Sequence, residues 1–141
     1  MKLVVDTNVL ISGLLWGGPP NRILKWARDG LLVLFACEST INELKRVIQY
    51  KRFVRRLTVL KKTPPETIAY TMNLVTFVPN PLNIPPVITD DPFDNIFLAL
   101  ASENEAHLVV SGDHHILDLK EYNSIQILTP SLAVQVIESF L

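Results

Sequence analysis

Four short apolar runs punctuate the chain, and the segments between them carry apolar residues at helical spacing. Lys2-Leu3-Val4-Val5, Leu31 to Ala36, Leu108-Val109-Val110 and Ile125-Gln126-Ile127-Leu128 read as strands, most of them buried on both faces as in a parallel sheet. Val9 to Trp16 predicts a short helix that Gly17-Gly18-Pro19-Pro20 breaks, and Asn21 to Arg28 predicts a second, stopped near Gly30. After the second strand, Ser39 or Thr40 is expected to cap a helix bearing Ile41, Leu44, Val47 and Ile48. Lys51 to Leu60 suits a basic amphipathic helix with Phe53, Val54, Leu57 and Leu60 on its apolar side. Pro64-Pro65-Glu66 opens another, expected to run to about Thr76, and Val78 to Pro86 is a proline-punctuated loop with room for a short edge strand. Asp91-Pro92 looks like the cap and first position of the apolar helix through Ile96 and Ala101. His114 to Leu117 fits a helical turn, and Thr129-Pro130 opens a terminal helix to Leu141. Strands alternating with helices predict an α/β fold on a parallel sheet, with residues 1–141 as one domain and the proline-rich loop as the only rival boundary.

Composition narrows the class. Apolar residues make up 48% and charged residues 19% of the chain, which fits a folded domain rather than a disordered one. Cys37 stands alone, so no internal disulfide or cysteine-based zinc site is expected. The opening Met1 to Val5 briefly imitates a secretion signal, but Asp6 and Asn8 interrupt it, and no apolar window is long enough for a membrane span. A cytoplasmic protein is the expectation. The formal net charge is −1, yet Lys45, Arg46, Lys51, Arg52, Arg55, Arg56, Lys61 and Lys62 fall in one stretch without an acid. That stretch is locally strongly positive.

The acids show a different order. In open parallel sheets ligands bind beyond the carboxyl ends of the strands. Asp6 follows the first strand and Asp113 a later one, Glu43 sits early in the helix after the second strand, and Asp94 begins the helix that precedes Asp113. All four are therefore expected at one edge. Like charges about 4 Å apart repel by about 4 kcal/mol per pair at an effective dielectric of about 20, so such a cluster takes up protons or binds a cation. Oxygen-only ligands favour Mg²⁺ or Mn²⁺, which can activate water and stabilise the leaving oxygen of a phosphodiester. Each acid also has a plainer use. Asp91 fits a helix cap with Asp94 on the helix dipole, and Thr40 with Glu43 forms a capping-box pattern. On this reading Asp91 belongs chiefly to the cap.

Val4-Val5-Asp6-Thr7-Asn8-Val9-Leu10, Glu43, Asp94-Asn95 and Ser111-Gly112-Asp113, in that order, resemble the PIN-domain family. More narrowly they resemble its bacterial and archaeal toxin–antitoxin ribonucleases, related to the VapC toxins. The resemblance implies a three-layer fold with strand order 3-2-1-4-5 and helices on both faces, and metal-dependent hydrolysis of RNA. It makes Asp6, Glu43, Asp94 and Asp113 the catalytic and metal-binding acids, Asn8 and Ser111 supporting residues, and Asp91 an acid outside the core set. His114 and His115 follow the last acid as exposed turn residues, or else as phosphate contacts or proton shuttles.

Lys45, Arg46, Lys51, Arg52, Arg55 and Arg56 then form the candidate phosphate track, with two solvated helix faces as the plainer reading. Trp16, Trp26 and Tyr50 offer stacking surfaces, although core packing or a dimer interface suits the tryptophans better. The expected function is an endoribonuclease using Mg²⁺ or Mn²⁺, the toxin of a type II toxin–antitoxin pair. Its partners would be RNA, an antitoxin protein and further copies of the chain in a homodimer or higher homo-oligomer, with no membrane. The rivals are a processing or quality-control nuclease, a non-catalytic RNA- or protein-binding module, and another acid-edge enzyme such as a phosphatase or a receiver-like phosphoacceptor. Asp6-Thr7-Asn8 lacks the second aspartate a phosphatase start would need, and Asp113 stands where a receiver needs lysine.

Overall fold

A computed structural model describes residues 1–141. Strands β1 (Lys2–Val5), β2 (Val33–Ala36), β3 (Thr76–Phe77), β4 (Leu108–Val110), β5 (Glu121–Tyr122) and β6 (Ile125–Leu128) form one sheet in the order β3-β2-β1-β4-β6-β5. Every pairing is parallel except that of β5 with β6. The five parallel strands, counted along the chain, keep the expected order 3-2-1-4-5, and β5 is an added antiparallel edge. Its hairpin turns through Asn123 and Ser124, both at positive φ (49° and 67°), the backbone of a two-residue turn whose twist matches the strands. Asn-Ser is a weaker signal for that turn than Asn-Gly, and so the hairpin escapes a reading by pattern.

Alternate strand residues face opposite sides, and helices cover both. Leu3, Leu34, Leu108 and Val110 pack with α1 (Thr7–Leu15), α2 (Pro19–Arg28), α3 (Glu38–Val47), α4 (Lys51–Val59) and α8 (Pro130–Phe140). Val4, Val109, Ile125 and Ile127 pack with α6 (Asn95–Glu103) and with Ile116 of α7 (His114–Leu117). Residues Asn95 to Ala101 of α6 are all buried. At about 1.5–3 kcal/mol for each large apolar side chain, burial of Ile96, Phe97, Leu98 and Leu100 fixes this helix firmly, together with whatever its first turn carries.

Several element boundaries differ from expectation for local reasons. The second strand begins at Val33 because Leu31 still serves α2: Gly30, at φ 78°, lets Leu31 N–H bond Trp26 O (2.9 Å) and Gly30 N–H bond Ala27 O (3.1 Å), the paired closure of a Schellman motif. Helix α3 starts at Glu38 with Cys37 as its N-cap, and Thr40 occupies the third position, where its hydroxyl accepts from Cys37 N–H (3.0 Å). Ser39 and Thr40 are therefore not the cap, and Glu43 takes no part in a capping box. Helix α5 (Pro64–Leu74) stops two residues short of Thr76, which joins Phe77 in the edge strand β3 just before the proline-rich loop. No helix is long and apolar enough to cross a membrane.

Candidate metal centre

Strands β1 and β4 are neighbours in register, with Val5 opposite Val110. The residues that follow them, Asp6 and Ser111, are thereby brought side by side. The Asp6 carboxylate is 5% exposed and held at both oxygens: Val9 N–H donates to Oδ1 (2.9 Å) and the Ser111 hydroxyl to Oδ2 (2.5 Å). The Ser111 oxygen in turn accepts from Asp113 N–H (2.9 Å), and Asp113 Oδ1 accepts from His115 N–H (2.9 Å). Asp6 and Asp113 are thus N-caps of α1 and α7 that also stand at the sheet edge.

Helix α6 leads directly into β4 and runs against it, so its N-terminus returns to the same edge. Pro92–Asp94 form a 3-10 turn ahead of it. Carboxylate oxygens of Asp91, Asp94 and Asp113 lie within 4.8 Å of one another there. Asp91 does occupy the cap position, but its side chain makes no capping hydrogen bond, nor does that of Asp94. The assignment of Asp91 chiefly to the cap is therefore corrected, because its carboxylate points to the other acids. Asp94 is 9% exposed, and its Oδ2 is buried without a hydrogen-bond partner. A buried, partnerless carboxylate oxygen is costly unless a proton or cation meets it.

The electrostatics agree. Burial first, then the charges of Asp91, Asp113 and Asp6, push the Asp94 carboxyl up from 3.8 to about 7. Burial also raises Asp6, against the lowering effect of its Ser111 and Val9 hydrogen bonds. The donor set is all oxygen, three carboxylates converge, and one of them holds an orphaned atom. These residues fit a hard divalent cation.

Of this group, Asp91 lines a cavity of about 670 Å³ whose walls also include Phe93, Glu43, Asn8, Arg46, Tyr50 and Arg52. The expected quartet is only partly gathered. Asp94 and Asp113 group with Asp91, Asp6 adjoins them, and Glu43 lies outside that group on the cavity wall, 3.9 Å from the Arg46 guanidinium. Asn8, expected to support Asp6, is exposed on the same wall, and that support comes from Ser111 and Val9 N–H instead. Of the basic residues, Arg46 and Arg52 face the cavity, Lys45 lines a separate pocket with Pro64 and Ile68, and Lys51 and Arg55 are exposed. Arg56 turns back to donate to Leu15 O (2.9 Å). His115 Nδ1 approaches Asp90 (3.3 Å), while the more exposed His114 lies 3.9 Å from Asp113.

Pattern reading passed over the residue that sets the acidic loop in place. Asn95 is buried, accepts from Ile88 N–H (2.7 Å), and donates to Ile88 O (2.9 Å) and Pro92 O (3.0 Å). It ties both sides of the segment bearing Asp91 to the rigid α6. The available signal was a lone amide at the head of an otherwise apolar helix, where burial demands partners.

No curated protein matches the chain. The family profile described as PIN domain matches residues 2–115, a span that takes in Asp6, Glu43, Asp91, Asp94 and Asp113. On that match over most of its length, the chain belongs to the PIN-domain family, whose members are generally metal-dependent nucleases.

Proposed function

We propose that the protein is an endoribonuclease dependent on Mg²⁺ or Mn²⁺ and acts as the toxin of a toxin–antitoxin pair. The observation that carries the nuclease reading is the convergence of Asp91, Asp94 and Asp113 beside Asp6, with Asp94 Oδ2 buried and partnerless. The toxin role and the choice of RNA rest on the resemblance of Asp6, Glu43, Asp94 and Ser111-Gly112-Asp113 to the VapC-related branch.

In this reading Asp6, Asp91, Asp94 and Asp113 hold the cation, and Glu43 is the fifth acid on the cavity wall. A bound divalent ion supplies Lewis acidity and charge neutralisation to a phosphodiester. The remaining work falls to side chains. Ser111 orients Asp6 by its hydroxyl, which joins the ends of β1 and β4, and accepts Asp113 N–H, which holds the loop after β4. Asn95 keeps Asp91 and Asp94 on a common turn. Asp94 must release its proton for the cation to bind. Arg46 and Arg52 offer donors for phosphate on the opposite part of the wall.

The test is cleavage of single-stranded RNA by the purified chain with Mn²⁺. Cutting should stop with chelator and in Asp94→Asn, and expression of wild type but not of Asp94→Asn should arrest growth of a bacterial host. Undiminished cutting by Asp94→Asn, or none with any divalent ion and RNA, rejects the site. Cutting without growth arrest rejects the toxin role alone.

A further inference from the structure

Beside the cavity, aromatic rings and guanidinium groups interleave where α1, α3 and α4 meet. Phe53 of α4 is buried, and two rings lean on it: Trp16 edge-on with centroids 6.3 Å apart, and Tyr50 nearly parallel at 6.4 Å with 12° between planes. Neither outer ring is covered, Trp16 being 41% and Tyr50 45% exposed. Of the two expectations for Trp16, core packing is thereby set aside.

Each exposed ring is also held. Arg56 lies 5.5 Å over Trp16 while its Nε–H bonds Leu15 O, and Arg46 donates to the Tyr50 hydroxyl (2.8 Å) with its guanidinium 6.0 Å from the ring. Arg52 stands 4.5 Å over Phe53. Of these arginines only Arg46 has a carboxylate near it, Glu43 at 3.9 Å. Exposed apolar side chains are ordinary one by one. Here two of them are preset in orientation, flanked by three guanidinium groups of which two have no acid beside them, and continuous with the acid-lined cavity through Tyr50, Arg46 and Arg52. A protein-binding patch would need neither this density of guanidinium groups nor their excess over nearby acids. A ligand with flat π-faces and a charge on every repeat needs both.

We infer that Trp16 and Tyr50 form a stacking rail for unpaired bases, leading single-stranded RNA to the acidic cavity with its phosphates on Arg46 and Arg52. The inference rests on the ribonuclease reading for the polymer and its destination. Bases already stacked and paired in a duplex have no free faces for the rail, so the rail selects unpaired strand without reading its sequence.

Binding is measured in chelator, where nothing is cut, with the full chain and a labelled single-stranded oligoribonucleotide, its duplex and its abasic backbone. Tyr50→Leu and Trp16→Leu should each weaken the single strand about 5- to 150-fold. Tyr50→Phe, which keeps the ring but loses the Arg46 bond to its hydroxyl, should weaken binding clearly less than Tyr50→Leu. The abasic backbone should bind wild type and both leucine variants alike. In Trp26→Phe, which leaves Trp16 as the only tryptophan, single strand but not abasic backbone should quench the fluorescence. Unchanged affinity in folded Tyr50→Leu, or abasic binding as tight as that of the intact strand, overturns the rail; so does loss of self-association or of antitoxin binding in Tyr50→Leu with RNA affinity intact. Cleavage is scored separately with Mn²⁺. A ring-dependent affinity without cleavage removes the nuclease reading and keeps the rail, whereas cleavage with ring-independent affinity does the reverse.

Discussion

Replacing Asp94 by Asn should stabilise the metal-free protein. The Asp94 carboxyl is raised from 3.8 to about 7 by burial and by Asp91, Asp113 and Asp6. At 1.36 kcal/mol per pKa unit that difference amounts to at most about 4 kcal/mol, and about 2–4 kcal/mol is the range the comparison reads. The sign follows from proton linkage. Between about pH 4 and pH 7 the unfolded carboxyl is ionised while the folded one keeps its proton, so the stability associated with this group is fully present below about 4 and is lost as pH rises to about 7. Asn does not titrate, and the variant should therefore gain on wild type through that window and hold its advantage above it. The competing effect is small. Asp94 makes no capping hydrogen bond, which leaves only an interaction with the α6 dipole of about 0.3–1 kcal/mol to be forfeited.

Thermal unfolding in chelator at pH 5 and pH 8, followed by circular dichroism or calorimetry, reads this directly. For a domain of this size about 1 kcal/mol moves the midpoint by about 3 °C, so Asp94→Asn should melt about 6–12 °C above wild type at pH 8 and by clearly less at pH 5. Mn²⁺ at about 100 times its Kd should add about 2.7 kcal/mol to wild type and much less to the variant, closing or reversing the gap. A variant less stable than wild type in chelator at pH 8, or equal stabilisation of both by Mn²⁺, would refute the crowded-carboxylate reasoning and return Asp94 to a structural role.

Other perturbations bear on separate parts of the site. Because Asp94 must lose its proton, the apparent affinity for Mn²⁺ in calorimetric titrations should rise as pH passes through about 7; a flat profile from about pH 5.5 to 8.5 would count against it. Ser111→Ala removes the donor that holds the Asp6 carboxyl down, and losing about 1–3 kcal/mol of charge-assisted bonding should weaken Mn²⁺ binding at pH 7 at least about fivefold with little change of fold. Asn95→Leu leaves the N–H and C=O of Ile88 and the C=O of Pro92 unmet; a loss of about 2–4 kcal/mol in denaturant unfolding is expected, and an unaffected midpoint would deny Asn95 its positioning role. Arg46→Gln and Arg52→Gln should each lower the slope of log affinity for single-stranded RNA against log salt by about 0.7, whereas a change that spares the slope would mean that neither meets a phosphate.

The sheet was legible because its main strands are short and apolar and alternate with helical segments, and burial of both faces leaves nothing else for Lys2–Val5 or Leu108–Val110 to be. The meeting of Asp6, Ser111 and Asp113 followed from that topology alone, since residues just past the ends of parallel neighbours must share an edge. What escaped was decided by contacts between elements. Asp91 before Pro92 is a cap by pattern, and only the 3-10 turn pinned by Asn95 aims its carboxylate at Asp94 and Asp113. Glu43 was placed on the correct helix, yet its position in α3 leaves it apart from the trio and near Arg46. The exposure of Trp16 was equally hidden, because a tryptophan among apolar helix positions reads as core until the packing of α1 against α4 leaves one side of it open.

Near-neutral net charge conceals the most consequential feature of the surface. Asp91 and Glu43 share a cavity wall with Arg46 and Arg52, and Asp6, Asp94 and Asp113 stand behind the acidic side of it. The guanidinium groups are exposed and act on a polyanion at a range limited by screening to about 8–10 Å. Asp6 and Asp94 are buried, so salt screens them less than the exposed Asp91, and at about 4 Å each would oppose a phosphate by about 4 kcal/mol at an effective dielectric of about 20. On the proposed reading the two sides therefore act in sequence. Cations and exposed rings collect a single strand whether or not the acids are loaded, but a phosphate can come among the carboxylates only after protons leave Asp94 and a divalent cation reverses the local sign. The carboxylate repulsion that destabilises the metal-free fold is then the same property that makes entry of the scissile phosphate depend on the metal.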